Sequence, residues 1–248
     1  MSEVLKAALL GLVQGVTEFL PVSSSGHLAV LQHYLGFKGD RLFFDVMLHF
    51  ATLLAVLVYF RREIVDYLRR PRVLALVVLV CIPTGVVGLL LKDRVEVLLY
   101  HPKFVAIMFL FTAAVDFLID RVEGIRPLEE LGTLGALFVG LCQGVAVVPG
   151  ISRSGSTMLG SLVAGVYREE AAPFVFIVSI PAILGATLLE VVKAGTVVVF
   201  DAGYLAGMVT AFVAGLMSIW LFVKLLRIRR FYIFSVYLVV LSLLVLIF

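Results

Sequence analysis

Three ionisable side chains stand inside apolar stretches of this chain, each beside a group of hydroxyl residues. Glu18 and His27 flank the run Pro21-Val-Ser-Ser-Ser-Gly26, and Arg153 lies in the run Pro149-Gly-Ile-Ser-Arg-Ser-Gly-Ser-Thr157. A guanidinium, hydroxyl groups and the amide N–H groups at a helix start all donate hydrogen bonds, which suits a phosphate or diphosphate. The hydroxyl groups belong to Ser23, Ser24, Ser25, Ser152, Ser154, Ser156 and Thr157, and Gly26, Gly150 and Gly155 let the backbone approach a ligand closely. The two runs therefore predict a site for a polyanion.

Glu18 does not fit an anion site by itself, because a carboxylate repels phosphate. Its presence indicates a bridging divalent cation or a role in proton transfer. Gln14 lies four residues earlier on the same helix face, so both side chains can reach one ion. The competing interpretations are structural: Gln14 and Glu18 could join helices, His27 could cap one, and several hydroxyl residues could serve in packing.

Two further pairs have the same spacing of four residues. Asp45 and His49 either orient the site from behind or belong to an interface near the outer surface, and the sequence favours the interface. Asp116 and Asp120 come near the end of an apolar segment, where we expect water to solvate them.

The elements that must position these residues are two interrupted apolar segments. Residues 4–35 and 132–166 each contain a short apolar helix, a Pro/Gly/Ser break and a second short helix. Neither helix is long enough to cross a bilayer, and broken backbone at membrane depth is tolerated only beside protein or a watery cavity. We therefore predict two re-entrant helix–loop–helix hairpins, called here the first and second hairpin.

The two hairpins also resemble each other. Gly11-Leu-Val-Gln-Gly-Val16 matches Gly140-Leu-Cys-Gln-Gly-Val145 at an offset of 129, and Ser23, Ser25 and Gly26 match further residues at that offset. A duplication predicts a single membrane domain, residues 1–248, with halves at 1–125 and 130–248. Each half would hold one hairpin and three spans. An odd number of crossings inverts the second half relative to the first.

The amino-acid composition indicates that this protein lies in a membrane. Apolar residues make up 62% of the 248 residues and charged residues 15%, against about 25% charged in soluble domains. A net charge of +3 without a basic, aromatic run argues against nucleic acid as a partner, and two cysteines in apolar stretches exclude a disulfide scaffold. We expect an all-α polytopic membrane protein with six transmembrane helices plus the two hairpins. The six spans lie near Phe43–Phe60, Val73–Leu91, Phe104–Ile119, Ala172–Val192, Tyr204–Val223 and Phe231–Phe248.

The distribution of positive charge predicts the orientation. Loops on one side carry twelve Lys and Arg, and loops on the other carry seven, including Lys38, with Arg153 set aside. The richer side should be cytoplasmic. We therefore expect a multi-pass protein of the cell membrane whose site opens to the outer side.

The string Gln14-Gly-Val-Thr-Glu18-Phe-Leu-Pro-Val-Ser-Ser-Ser-Gly-His27, followed by Pro149-Gly-Ile-Ser-Arg-Ser-Gly-Ser-Thr157, resembles the bacitracin-resistance family of undecaprenyl-diphosphate phosphatases over the whole chain. The resemblance implies removal of the terminal phosphate of undecaprenyl (polyprenyl) diphosphate. The product is the monophosphate carrier lipid of cell-wall synthesis, and the activity would confer bacitracin resistance. Gln14 is an accepted variant of a position that is Glu or Gln in the family. Ser25 stands where Thr is common.

The resemblance also implies roles for the site. Arg153 and the loop Ser152–Thr157, with Ser23, Ser25 and Gly26, would grip the phosphoryl oxygens, while Glu18 and Gln14 would hold Mg²⁺ or Ca²⁺. Ser24 matches the serine favoured as nucleophile in the family, with His27 to activate it. A phosphohistidine on His27 and a directly activated water stay open, as do the lipid chain length, the metal and a homodimer.

Two rivals use similar donors. Another membrane lipid-phosphatase class shares Ser25-Gly26-His27 and Ser152-Arg153, but its nucleophilic histidine is missing because position 159 is Leu. A secondary transporter or flippase of a lipid phosphate or other anion is the alternative function, since inverted hairpins with midplane charges are typical of transporters. Phosphate release in detergent separates an enzyme from a transporter.

Overall fold

The computed structural model describes residues 2–37, 41–194 and 201–247. Lys38, counted above among the outer charges, and Phe248, the last residue of the sixth predicted span, lie outside these ranges. The described part is all-helical apart from a single β-bridge between Arg126 and Val166 and a 3₁₀ turn at Leu128–Glu130. Its α-helices run in this order: α1 Glu3–Phe19, α2 Ser24–Leu35, α3 Arg41–Tyr59, α4 Arg61–Arg69, α5 Pro71–Leu98, α6 Pro102–Ile119, α7 Thr133–Val145, α8 Arg153–Val163, α9 Arg168–Ala194, α10 Ala202–Arg227 and α11 Tyr232–Ile247.

Four helices within the described ranges are long and apolar enough to cross a membrane: α5, α6, α9 and α10. They contain the predicted spans and extend several residues beyond most of them. The predicted span Phe43–Phe60 coincides with α3, which ends at Tyr59 and bends by 74° into the charged helix α4. The last predicted span coincides with α11, whose 16 described residues fall short of the about 20 that a straight span needs.

The outer surface of the long helices is apolar. Leu90 on α5, Leu205 and Met217 on α10 and Ile247 on α11 are each more than 60% exposed. Water would be a poor solvent for so many large exposed aliphatic side chains, whereas lipid chains are a good one. The chain is therefore a multi-pass membrane protein.

The two predicted hairpins correspond to α1 with α2 and α7 with α8. Their first helices pack closely against long helices by means of glycine. A Cβ atom at Gly15 would lie 2.5 Å from the Ala211 carbonyl oxygen on α10, and one at Gly144 would lie 2.9 Å from Val87 Cβ on α5. Only hydrogen fits at these two positions, so α1 is seated on α10 and α7 on α5.

Candidate active site

The loops at the tips of the two hairpins have the same local structure. Ser23 caps α2 by accepting a hydrogen bond from the Gly26 amide at 3.4 Å, and Ser152 caps α8 by accepting one from the Gly155 amide at 3.1 Å. Serine is a preferred residue at this position because its hydroxyl accepts from a free amide of the first turn. Ser23 has a positive φ of 66°, which turns the chain sharply before α2. Ser23 and Ser152, which match each other in the sequence repeat, are thus the N-caps of the second helix of each hairpin.

The two loops contact each other directly. The Ser154 hydroxyl donates a hydrogen bond of 3.2 Å to the Leu20 carbonyl of the first loop. Thr112 on α6 fixes the second loop, because its hydroxyl donates to the Gly150 carbonyl at 2.7 Å and accepts from the Ser152 amide at 3.0 Å. The hairpins therefore present their tips to one common region.

Glu18 is the centre of this region. The residue is 7% exposed, and its carboxylate accepts hydrogen bonds from Gln14 Nε2 at 3.0 Å and from Ser24 Oγ at 2.5 Å, both at Oε2. The Arg153 guanidinium of the second hairpin forms an ion pair with the other oxygen, Oε1. Four residues that the sequence singled out are therefore in contact: the acid, its amide neighbour, the predicted nucleophile and the guanidinium.

His49 on α3 joins the same carboxylate. Its Nε2 atom lies 3.3 Å from Glu18 Oε2, and its Nδ1 atom lies 2.7 Å from the Asp45 carbonyl oxygen. The Asp45 carboxylate accepts a hydrogen bond of 2.6 Å from Gln32 on α2. The interpretation of Asp45 and His49 as an interface near the outer surface was wrong, because both residues line the central cavity of the protein and His49 contacts Glu18.

A cavity of about 270 Å³ opens in front of Glu18. Its polar lining comes from both hairpins and from α3, α5 and α9: Glu18, Ser23, Ser24, Ser25, Asp45, His49, Thr84, Gln143, Ser152, Arg153 and Thr187. Its apolar lining comes mainly from α5, α9 and the second loop: Val95, Leu99, Ala146, Val147, Ile151, Ala182, Ile183 and Ala186. A cavity lined by both polar and apolar side chains suits a molecule with a charged head and a hydrocarbon chain.

Two buried polar atoms of the cavity lining have no hydrogen-bond partner in the part of the chain described. They are Oε1 of Gln143 and Oγ1 of Thr187. Gln143 is the counterpart of Gln14 at the offset of 129, so the repeat already contained a signal for it. Thr84, which accepts a 3.1 Å hydrogen bond from Gln143, and Thr187 carry no motif and are missed by sequence reasoning. Buried polar atoms without partners cost free energy, so these two atoms are positioned for a polar ligand.

His27 lies outside this cavity. Its Nδ1 atom is 2.8 Å from the Ser23 carbonyl and its Nε2 atom is 2.7 Å from the Tyr237 hydroxyl on α11. A carbonyl only accepts, so Nδ1 carries a proton, and Nε2 of the neutral ring accepts from the Tyr237 hydroxyl. The structure brings Glu18, not His27, into contact with the Ser24 hydroxyl. His27 instead connects the turn at Ser23 to α11.

The predicted phosphate-binding residues fall into two groups. Ser23, Ser25 and Ser152 line the cavity. Gly26, Ser154, Gly155, Ser156 and Thr157 are not among its lining residues. In this second group Thr157 donates to the Arg153 carbonyl at 2.7 Å, and the Gly155 amide is taken by the cap of α8. The contacts of Ser154, Gly155 and Thr157 fix the second loop and the start of α8. The Gly26 amide is instead taken by the cap of α2, and the Ser156 hydroxyl has no hydrogen-bond partner among the described residues.

Asp116 was expected to be solvated by water, and the structure shows that it is buried. Both of its carboxylate oxygens are buried without a hydrogen-bond partner among the described residues, and the residue is 0% exposed. The expectation that water solvates Asp116 was wrong because its carboxylate lies on the face of α6 that packs against α8, where a Cβ atom at Gly155 would lie 3.1 Å from Asp116 Oδ1. Asp120, one turn later, accepts a 2.9 Å hydrogen bond from the Tyr232 amide.

The chain has close relatives across its length. A family model described as "Bacitracin resistance protein BacA" matches residues 7–244. The chain is 42% identical over 248 aligned positions to an undecaprenyl-diphosphatase of Syntrophotalea carbinolica, covering 94% of each protein. It is 45% identical over 188 positions to an undecaprenyl-diphosphatase of Carboxydothermus hydrogenoformans, covering 75% of this chain and 72% of that relative.

A third relative, an undecaprenyl-diphosphatase of Methanosphaera stadtmanae, is 37% identical over 252 positions and covers 92% of this chain. The matched region takes in the cavity-lining residues of both hairpins and of the long helices between them. The chain therefore belongs to the bacitracin resistance protein BacA family.

Proposed function

We propose that this protein is an integral-membrane hydrolase that removes the terminal phosphate of undecaprenyl or another polyprenyl diphosphate. The product is the monophosphate carrier lipid for cell-wall synthesis, and its regeneration would confer bacitracin resistance. The observation that carries this proposal is the contact of Ser24 and Arg153 with one carboxylate, Glu18, in the lining of a cavity that also has many apolar lining residues. The three relatives named undecaprenyl-diphosphatase support the same reaction.

Substrate binding would rearrange the ion pair at the centre of the site. In the described structure Arg153 is paired with Glu18, and its side chain is 22% exposed. A diphosphate offers the guanidinium several anionic oxygens in a geometry that suits two parallel hydrogen bonds. Arg153 would then bind the terminal phosphoryl group, with the hydroxyl groups of Ser23, Ser25 and Ser152 beside it.

Ser24 is the proposed nucleophile. Its Oγ would attack the terminal phosphorus as the bond from that phosphorus to the bridging oxygen breaks, leaving the lipid monophosphate and a phosphoserine. Water would then hydrolyse the phosphoserine and release inorganic phosphate. Glu18 accepts the Ser24 hydrogen bond, and transfer of Arg153 to the substrate removes positive charge from beside Glu18. This change favours Glu18 as the acceptor of the Ser24 proton.

The role of His27 stays a prediction. The resemblance to the family implies that His27 activates Ser24. The observed contacts of His27 are with the Ser23 carbonyl and the Tyr237 hydroxyl. A role through the shape of the loop fits those contacts, because Ser24 directly follows the turn at Ser23. Comparison of His27 and Tyr237 variants separates the two roles.

A divalent cation, Mg²⁺ or Ca²⁺, is proposed for the same site with Glu18 and Gln14 as ligands. One observation supports the fit: Gln14 Oε1 is a buried acceptor with no partner in the described ranges, next to the Glu18 carboxylate. When bound, such an ion neutralises phosphate charge. The Gln14 amide oxygen and the Glu18 carboxylate of this chain would hold the ion.

The proposed architecture is six spans and two re-entrant hairpins in an inverted repeat. The internal packing supports it, because helices related by the offset of 129 make matching contacts. Helix α1 of the first half packs on α10 of the second, and α7 of the second half packs on α5 of the first. The helices at the third predicted span of each half, α6 and α11, pack on each other.

The site is proposed to open to the outer side of the cell membrane. Val95 and Leu99, near the end of α5, line the cavity. They lie beside Lys92, Arg94 and Lys103, which belong to the side with fewer positive charges. Because the richer side is cytoplasmic as a rule, the cavity would face outward. A homodimer is compatible with this orientation, and light scattering in detergent measures it.

Phosphate release by the purified protein in detergent tests the function. We expect release from undecaprenyl and shorter prenyl diphosphates without any membrane gradient, which a transporter could not produce. Glu18→Ala and Arg153→Ala should abolish it. The matched controls Glu129→Ala and Arg121→Ala, at exposed positions away from the cavity, should not. Near-normal turnover in Glu18→Ala or Arg153→Ala would overturn the assignment.

A further inference from the structure

Helix α4 lies across the end of a membrane span. The apolar helix α3 ends at Tyr59, and the chain bends by 74° into α4, Arg61–Arg69. A helix of 9 residues is about 14 Å long, less than half of the about 30 Å of hydrocarbon in a bilayer. Arginine, glutamate and aspartate together make up more than half of it. Helix α4 is therefore too short and too polar to cross the membrane, and its bend turns it toward the membrane plane.

The neighbouring helix α10 runs in the same direction as α3. A Cβ atom at Gly207 would lie 2.9 Å from Phe44 Cζ, and one at Gly215 would lie 3.3 Å from Ala55 Cβ. Later residues of α10 thus face later residues of α3. About one helical turn beyond the second contact, the end of α3 comes level with Trp220 on α10.

Trp220 marks the level of the membrane surface. It is 55% exposed, and Lys224 Nζ lies 4.9 Å from the centroid of its ring. Exposed tryptophan and lysine near the end of a spanning helix are typical of the boundary between hydrocarbon and water. Since the end of α3 lies level with Trp220, α4 begins at this boundary.

One side of α4 is packed against the protein, and the adjacent side is apolar and exposed. Tyr67 belongs to the main hydrophobic core. Val65 is 46% exposed and Leu68 is 62% exposed. Because successive residues of a helix are turned by about 100°, these two side chains lie only about 60° apart. Arg61 lies between them and donates a 3.1 Å hydrogen bond to the Val58 carbonyl. Acyl chains cover such an apolar face better than water does.

The charges of α4 are sorted by sign around this apolar face. Arg62 and Arg69 lie within about 90° of its centre, whereas Glu63 and Asp66 lie about 130–170° away from it. The Asp66 carboxylate is paired with Arg70 at 2.6 Å. Arg62 and Arg69 are exposed and have no carboxylate partner in the part of the chain that the structure describes. Two guanidinium groups therefore border the apolar face and are available to an anion.

We propose that α4 lies in the membrane–water interface with Val65 and Leu68 among the acyl chains, and that Arg62 and Arg69 bind the headgroup phosphates of anionic phospholipids in preference to zwitterionic ones. A guanidinium can donate two parallel hydrogen bonds to a phosphate. A zwitterionic headgroup carries its own cation, which competes with arginine for that phosphate, whereas the headgroup of phosphatidylglycerol carries none. This inference goes beyond the proposed function and does not depend on the reaction in the cavity.

Fluorescence quenching by brominated lipids tests which lipid lies against α4. Trp220 is the single tryptophan of the chain, so Trp220→Phe combined with Leu68→Trp leaves one indole, on α4. The full chain is reconstituted in vesicles of equal parts phosphatidylglycerol and phosphatidylcholine, with bromine on the acyl chains of one lipid or of the other. We expect phosphatidylglycerol to be enriched at α4 by about fivefold or more, the factor that one arginine near an anionic surface supplies.

Arg62→Gln combined with Arg69→Gln should abolish this enrichment. The matched control is Lys92→Gln combined with Arg94→Gln, at exposed positions near the opposite end of α5, and it should keep the enrichment. Equal quenching by the two brominated lipids, quenching by neither, or enrichment that persists without both arginines would overturn the proposal.

The melting temperature in detergent gives a second measurement that needs no tryptophan change. Phosphatidylglycerol should raise the melting temperature of wild-type protein more than phosphatidylcholine does. The variant without Arg62 and Arg69 should lose that difference. An equal effect of the two lipids on wild-type protein would also overturn the proposal.

Discussion

Arg153 and Glu18, which are 135 residues apart in the chain, form an ion pair that joins the two hairpins. The pair keeps the guanidinium of the second hairpin beside the hydroxyl of Ser24 on the first. An anionic substrate can replace Glu18 as the partner of Arg153, so the resting contact places the phosphate-binding group where it is needed. Several measurable consequences follow from this arrangement.

Arg153→Lys should lower phosphate release by about 10²–10³-fold. Lysine keeps the positive charge but loses the planar pair of donors that matches a phosphoryl group. Steady-state phosphate release from a prenyl diphosphate measures the loss. Arg121→Lys, at an exposed arginine near the end of α6, is the matched control and should retain wild-type turnover. Retained activity in Arg153→Lys would show that charge alone is sufficient at this position.

Ser24→Ala should abolish turnover, whereas Ser25→Ala should reduce it only partially. The reason is the different position of the two hydroxyl groups: Ser24 Oγ donates to Glu18 at 2.5 Å, while Ser25 Oγ lies 3.4 Å from Ser23 Oγ. Rapid quenching of a reaction with phosphate-labelled substrate should trap a phosphoprotein in wild type and none in Ser24→Ala. Comparable turnover of the two variants would argue for a directly activated water.

Tyr237→Phe should reduce turnover by roughly tenfold at most, since it removes one hydrogen bond worth about 1 kcal/mol and keeps the stacked ring. His27→Ala should abolish turnover in either role. If His27 acts only by holding the Ser23 turn, Asn at this position should restore part of the activity by bonding the same carbonyl. Full activity in Tyr237→Phe together with none in His27→Asn would favour direct proton transfer by His27.

Gly150→Ala should lower both the melting temperature in detergent and the turnover. Gly150 has a φ of 94°, and a Cβ atom there would lie 2.6 Å from the Val105 carbonyl oxygen. The strained backbone alone costs about 1–3 kcal/mol. Gly132→Ala is the matched control, because Gly132 has an ordinary φ of −76° and no atom within 4 Å of its Cβ position. Equal melting temperatures for the two variants would contradict this account.

Sequence reasoning reached the chemistry of the site more fully than its geometry. Charges in apolar surroundings are costly, so Glu18 and Arg153 stood out, and the repeat related both hairpins. The direction in which His27 and His49 point could not be predicted. His49, four residues after Asp45 on α3, contacts Glu18, whereas His27, which follows the turn at Ser23, contacts Tyr237 on α11. Rotation of a helix about its axis is decided by packing partners that lie far away in sequence.

The hydrophobic runs of the sequence predict where the helices lie, but they do not predict the residues at which the helices end. The apolar run near Phe43–Phe60 gave no warning of the 74° bend into α4, since the charged residues after it read equally well as a loop. Asp116 was expected in water because it precedes a charged loop by one turn. Its carboxylate lies against α8, which begins only at Arg153.

The seating of α1 on α10 has a consequence for the assembly of the protein during synthesis. Helix α1 leaves the ribosome well before α10, and its glycine-lined face fits that helix, which spans Ala202–Arg227. Until α10 is made, the hairpin that carries Glu18 and Ser24 lacks its most extensive packing partner. Because α1 packs on α10 and α7 packs on α5, each half of the chain needs the other to hold its hairpin, and the active site is complete only after α10 has entered the membrane.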